Sequence, residues 1–263
     1  MRTQHAFNCP KTDGPEYDET FARSIALPLM AAAAAPSAEA RQDCLDSNLI
    51  GVKVLKNYTV PCNFDRTLDP YGATLGFANK MTLIDKLGVS VDDHYQVAFT
   101  ALWQQMETDI KKAKEISSSP EIWVVGHSYG GGIASIFAAA IASSEIGPSI
   151  SIKLVTFGQP RMSDITFAQQ HDTLVPYSFR IINKNDVIPT LLPKKDIFAK
   201  KGPFHHRYEV WYPDGMAENS TYKVGKMAED GAASNSVLNL SPTDHLYMFE
   251  KEISTWWKKK CKK

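Results

Sequence analysis

Between residues 122 and 144 the chain reads as a strand, a glycine-rich turn and a helix in immediate succession. Ile122-Trp123-Val124-Val125 is short, continuous, apolar and mostly β-branched, the pattern of a strand buried in a parallel sheet. Gly126-His127-Ser128-Tyr129-Gly130 follows, and then a small-residue helix, IASIFAAAIASS. Three further strands are expected downstream: Ile152–Phe157, ending at Gly158; Ser178–Ile182; and Tyr208–Tyr212. Parallel strands need right-handed helical crossovers, so this alternation predicts an α/β chain with a mainly parallel sheet and flanking helices. The 263 residues suffice for one such domain. No repeat or linker divides them, so residues 1–263 are read as a single domain, with 1–16 and 258–263 as flexible tails.

The rest of the chain is less constrained. The run Ile25–Ala35 (IALPLMAAAAA) is read as an Ala-rich helix, with Glu16, Asp18 and Glu19 favourable near its start and Pro36 beyond its end. It lies too far inside the chain for a typical signal sequence, and the first fifteen residues contain no apolar core, so no signal peptide is expected at Met1. Val97, Leu102, Met106 and Ile110 recur near helical spacing and predict a helix over Val91–Ile116. A terminal helix is expected over His245–Trp257, and the closing KKKCKK is read as a solvated tail. Lys plus Arg and Asp plus Glu both total 29, which argues against a nucleic-acid binder. No apolar run reaches the roughly 20 residues of a membrane-spanning helix, so no transmembrane anchor is expected. None of the four cysteines (Cys9, Cys44, Cys62, Cys261) sits in a CxxC pair, which leaves zinc ligation unsupported. Cys44 and Cys62 are spaced to bridge a loop in an oxidising compartment, and four ordinary thiols are the alternative. Sequons at Asn57, Asn219 and Asn239 give modest support for a secretory route.

The turn at 126–130 matches G-x-S-x-G. In the context of strand before and helix after, it puts Ser128 on a sharp, strained turn, with the helix N-terminus facing a developing oxyanion. The flanking glycines keep Cβ atoms out of the space that the turn closes. A serine nucleophile needs a base, and the base an orienting carboxylate, in the chain order Ser, acid, His. Asp186 follows the strand FRIIN and is the preferred acid; Asp164, Asp172 and Asp196 compete less well. His171 precedes that acid, which leaves His205, His206 and His245 as candidate bases. His127 is read as a packing or positioning residue, because adjacent side chains on a strand point to opposite faces.

At these residues the sequence resembles the fungal-type (class 3) lipase family, and within it the nematode-like members. The resemblance runs through Tyr17–Arg23 and the Ala run, the elbow Ile122–Gly131, Leu154–Arg161 (LVTFGQPR), Arg180–Pro189 (RIINKNDVIP), His205–Tyr212 (HHRYEVWY) and Asp244-His245-Leu246. It implies an α/β-hydrolase fold and a serine hydrolase that cleaves carboxylic esters of lipids at a lipid–water interface. Ser128 would be the nucleophile, His245 the base and Asp186 its orienting acid, with the backbone N–H of Tyr129 as an oxyanion donor. It also implies no metal or organic cofactor and, by family, secretion.

One motif of the family is absent. A strand before the elbow, ending in a Phe-Arg-Gly-Thr-like turn, supplies the first oxyanion donor. Here Cys62–Asp92 reads CNFDRTLDPYGATLGFANKMTLIDKLGVSVD, with no long apolar strand and no Arg-Gly-Ser/Thr. The resemblance resumes near Tyr95–Phe99. The fold is therefore expected to lack one early strand, and the alternating stretch Val52–Val60 lies too early to replace it. A shortened splice form, a catalytically dead relative and an enzyme with a rebuilt donor all fit this gap. Removing one oxyanion donor costs about a hundred- to a thousand-fold in turnover. The alternative function is thus a catalytically impaired, lipase-like lipid- or partner-binding protein. A peptidase or acyltransferase using the same triad is a third reading, because fold does not fix substrate. A family lid would fall between Tyr71 and Val91.

Overall fold

The computed structural model describes residues 14–59, 81–84, 89–116, 120–145, 147–191, 203–236 and 239–262. The Ala-rich run is helical, as its composition predicts. It starts with α1 (Glu19–Phe21), where Asp18 caps the helix by accepting the Phe21 N–H at 2.9 Å, and continues through a π-helical turn at Ala22–Ala26 into α2 (Leu27–Ala33). The wide turn directly precedes Pro28, which has no N–H to give and crowds the carbonyl four residues back. α3 (Ala38–Asp46) follows, with Ser37 as N-cap. Phe21, Ala22, Ala26, Leu27 and Ala31 are buried in one cluster with sheet residues Val155, Phe157, Phe179, Ile181 and Val210. Alanines on that face let the helix sit close to the sheet.

β1 (Met81–Ile84) and β2 (Val89–Asp92) pair antiparallel in a two-stranded sheet of their own. The long helix α4 (Asp93–Ile116) begins at Asp93 rather than Val91, because Val91 is fully buried in β2 and bridges Ser163. β3 (Glu121–His127), α5 (Tyr129–Ala142), β4 (Ser151–Phe157), α6 (Ile165–Leu174), β5 (Tyr177–Asn183), β6 (Glu209–Tyr212) and β7 (Lys223–Gly225) build the main body. β3 to β6 are parallel in sequence order and β7 closes the sheet antiparallel. Side chains alternate faces along each strand: Val155 and Phe157 face α1–α3, whereas Leu154 packs with Ala134, Ala138 and Ile141 of α5. On the α5 side, Tyr95 and Phe99 of α4 pack with Ile136 and Phe137.

Among the described residues β3 has one strand neighbour, β4. It is correspondingly less buried than β5 or β6. Most of the region where an early strand and a lid were sought, residues 60–80 and 85–88, lies outside the described residues, as do Cys9, Cys62 and Asp196. The stretch 51–59 forms no strand. Gln42 holds it in place, donating to the Val52 carbonyl and accepting the Val54 N–H, each at 2.8 Å.

The C-terminal region corrects two expectations. The helix sought over His245–Trp257 is a short α7 (Pro242–Leu246), then a hairpin of β8 (Tyr247–Met248) and β9 (Lys251–Glu252), then a 3₁₀ turn at Trp256–Lys259. The hairpin turn is Phe249-Glu250, with φ of 49° and 64°. A two-residue turn with both φ positive normally takes Asn or Gly, so these residues carry no turn signal. Packing decides instead: Phe249 is buried against Phe157 and Tyr212, beneath the Arg23 guanidinium. The second correction is the basic end. Cys261 is fully buried and disulfide-bonded to Cys44, and its carbonyl accepts from Asn48 at 2.9 Å, so residues 258–262 are anchored rather than a tail. Asn57, Asn219 and Asn239 are all exposed. Among the described residues no helix is long and apolar enough to cross a membrane.

Candidate active site

Ser128 stands between the last residue of β3 and the first of α5, with φ 56° and ψ −131°. That is a costly backbone conformation for a residue with a Cβ, and it persists because the surroundings fix it. The Ser128 N–H donates to the Phe157 carbonyl at 2.9 Å, and the Ser128 carbonyl accepts from Gly131 at 2.9 Å. A Cβ on Gly126 would overlap the Gly130 carbonyl, and one on Gly131 would crowd Thr156 and Gln159. Gly130 faces open space, so the expected steric need for glycine holds at Gly126 and not at Gly130. Tyr129 opens α5 and is tied to α4: its hydroxyl donates to the His94 carbonyl at 2.6 Å and its ring lies 4.4 Å from that of Tyr95.

Asp186 and His245 meet beside this turn. The His245 Nδ1–H donates to Asp186 Oδ2 at 2.9 Å. The carboxylate acceptor fixes the tautomer and leaves Nε2 with its lone pair. The other Asp186 oxygen accepts the Ile188 N–H at 2.9 Å. Both side chains rest on Gly158, the left-handed residue (φ 55°) that follows β4. A Cβ there would lie 2.5 Å from Asp186 Oδ2 and 2.6 Å from His245 Nδ1. The loops carrying the pair are laced together. Asn183 donates to the carbonyls of Asp244 (3.1 Å) and Tyr247 (2.8 Å), and the Ser241 N–H donates to Asn185 at 2.8 Å. Gly158 and Asn183 went unremarked as site residues in the sequence; each shows only as the end of a strand.

His127 joins the elbow to the pair. Its ring stacks on that of His245 with centroids 4.5 Å apart and planes 23° apart, and its Nε2–H donates to the His245 carbonyl at 2.9 Å. Burial, and secondarily the charge on His245, pushes His127 down to about 4. Ser128, His245 and Asp186 are thus brought to one place in the fold.

The competing residues lie elsewhere. Asp164 is the N-cap of α6, accepting the Phe167 N–H at 2.8 Å. His205 donates from Nε2 to the Pro189 carbonyl at 3.0 Å. His171 and His206 stack at 3.9 Å next to Asp172, and the ligand atoms of these three lie within 4.8 Å of one another. Their chemistry does not suit a metal or a catalytic centre. Both Asp172 oxygens are taken by Arg207, by its N–H at 2.7 Å and its Nε at 3.0 Å. His206 donates from Nδ1 to the Arg207 carbonyl and accepts from Gln159 at Nε2. The buried Arg180, 3.5 Å from Glu209, adds positive charge, and both histidines are sealed from solvent. Burial holds His205 and His206 well below the usual imidazole range and pushes His171 to about 3.

A family model for lipase (class 3) matches residues 61–195, a span that includes Ser128 and Asp186. The chain belongs to the class 3 lipase family. A lipase of Caenorhabditis elegans is 31% identical over 200 residues, which are 65% of this chain and 55% of that protein. A secreted mono- and diacylglycerol lipase of Malassezia globosa is 25% identical over 174 residues, 65% of this chain and 53% of its own length. The chain therefore spans about half the length of these curated relatives. The solved structure of Rhizomucor miehei triacylglyceride lipase superposes with a TM-score of 0.59 at 26% identity, covering 66% of this chain and 65% of that one. The mainly parallel sheet with flanking helices is the α/β-hydrolase fold of those lipases.

Proposed function

We propose that this class 3 lipase relative is a serine hydrolase that cleaves carboxylic esters of lipids, acylglycerols foremost, through Ser128, His245 and Asp186. The observation that carries the reading is the His245–Asp186 hydrogen bond, packed on Gly158 beside a strained Ser128. Ser128 Oγ attacks the ester carbonyl while its proton passes to His245 Nε2. Charge gathers on the carbonyl oxygen, opposite the Tyr129 backbone N–H and the positive end of α5. Collapse breaks the ester C–O bond, and the alcohol leaves with the proton from His245. Water, deprotonated by the same imidazole, then cleaves the acyl–Ser128 ester and releases the acid. Asp186 holds His245 in the required tautomer throughout. None of these steps calls for a metal or organic cofactor.

The substrate class rests on relatives that are acylglycerol lipases. Leu246 and Tyr247, which flank His245 in sequence, are 43% and 41% exposed and suit a lipid–water interface. Secretion is supported by the Cys44–Cys261 bridge, which needs an oxidising compartment, and by secreted relatives. A second reading has its own observation. With no Arg-Gly-Ser/Thr motif before the elbow, the first oxyanion donor is unassigned, and the protein would bind lipid or a partner without turnover. A fluorophosphonate probe separates the two. Labelling of the wild type that disappears in Ser128→Ala, with short-chain ester turnover lost in His245→Ala, supports the hydrolase. Absence of Ser128-dependent labelling, with retained binding to acylglycerol vesicles, supports the second reading.

A further inference from the structure

The nucleophile and acid are held by backbone, but the base is held by a side chain. We propose that His127 is a positioning residue for His245: a neutral imidazole that fixes the plane of the base and stabilises the imidazolium formed during acyl transfer. This rests on the reading of His245 as the general base.

Three observations carry it. The first is geometric. The two rings stack at 4.5 Å and 23°, so the π-face of His127 lies against the ring that becomes cationic in each half-reaction. A cation over an aromatic face is attracted by the ring quadrupole, more strongly where water is excluded. The second is the 2.9 Å hydrogen bond from His127 Nε2–H to the backbone carbonyl of His245 itself. It ties the residue that carries the base to the last residue of β3, one position from Ser128. Nucleophile and base are thereby referred to the same strand, although 117 positions separate them in sequence. The third is charge state. Stacking helps only if His127 stays neutral when His245 is charged, since two stacked imidazolium rings repel. Burial holds His127 at about 4, and a charged His245 pushes it the same way. The other charged group facing the pair is the Asp186 carboxylate, from the loop after β5. Asp244, on the same helix as His245, turns its carboxylate to the Asn185 N–H.

Two substitutions separate the two contacts. His127→Phe keeps a stacked ring and loses the donor. His127→Gln keeps a donor and loses the ring. The readouts are the NMR titration of the His245 imidazole, which needs no turnover, and the rate of fluorophosphonate labelling. In His127→Gln the His245 titration midpoint falls by about 0.5 to 1 pH unit, and labelling slows about ten-fold. In His127→Phe the midpoint stays within about 0.3 unit of wild type, while labelling slows because the ring is less well fixed. An unshifted midpoint in His127→Gln together with wild-type labelling in both variants would overturn the proposal and leave His127 as packing. If His127→Gln does not fold, the His127→Phe arm decides: labelling at the wild-type rate refutes the positioning role. Failure of the hydrolase reading looks different, since labelling is then independent of Ser128 while the titration still reports on the stacked pair.

Discussion

Two histidine–aspartate groups sit in this fold, and they differ in how their polar atoms are spent. At the proposed site, Asp186 spends one oxygen on a backbone N–H and the other on His245, whose Nε2 makes no further hydrogen bond among the described residues, and Ser128 nearby is half-buried. In the core, Asp172 is spent on Arg207, His206 on Arg207 and Gln159, and the group is closed over by α5, α6 and the sheet. An Arg180 nitrogen there has no hydrogen-bond partner among the described residues, yet being unsatisfied does not make it reactive. What separates the groups is access and the sign of the nearby charge. In the core group Arg180 opposes an imidazolium and the Asp172 carboxylate is spent on Arg207; Asp186 instead bonds its histidine directly.

This contrast breaks most sharply at Ser128→Ala. Fluorophosphonate labelling and ester turnover are expected to fall by at least about a thousand-fold, with the melting temperature unchanged. A residual rate near wild type would remove Ser128 from the chemistry. Next in size is the core: Arg180→Ala strands the Glu209 carboxylate and is expected to destabilise the fold by about 3 to 5 kcal/mol, read as a lower urea midpoint. The labelling rate of the folded fraction stays near wild type. If labelling collapses without loss of stability, the core group belongs to the site after all.

Acid comes third. His127, His171, His205 and His206 are all held below the ordinary imidazole range, chiefly by burial. The unfolded chain therefore binds protons below about pH 6.5 that the folded chain refuses, and stability falls as pH drops from there toward about 4. Each such histidine costs up to about 1.4 kcal/mol per pH unit over that window. Asp172, raised by burial, works against the loss at the acid end. Urea midpoints at pH 7.5, 6.0 and 5.0 check the slope. The smallest test lies within the site. Gly158→Ala drives a methyl into the Asp186–His245 pair and is expected to slow labelling by about ten- to a hundred-fold. Gly130→Ala meets open space and is expected to raise stability by about 0.5 to 1 kcal/mol, as alanine replaces glycine in a helix.

Much of this was legible before any coordinates. The elbow is legible because strand, turn and helix each carry their own signal over residues 122–144. Chain order points to Asp186 as the acid, and the family resemblance singles out His245 as the base from His205 and His206. The hairpin at 247–252 is not, because its left-handed turn falls on Phe249 and Glu250, and tertiary burial of Phe249 overrides local preference. The Arg180–Glu209 pair is hidden inside two strands that read as apolar. The stacking of His127 on His245 depends on a register 118 residues apart that no local pattern encodes. The Cys44–Cys62 bridge suggested by spacing gives way to Cys44–Cys261, a partner set by the same long-range packing.

That cysteine pairing joins two distant stretches of the chain into one closed ring. The bridge spans 217 positions, and closing a loop of that size removes about 5 kcal/mol of freedom from the unfolded chain in the entropic account. The ring encloses the candidate site, since Ser128, Asp186 and His245 all fall between positions 44 and 261. Reduction therefore opens the ring without removing any residue of the candidate site, and its cost falls on stability before it falls on chemistry.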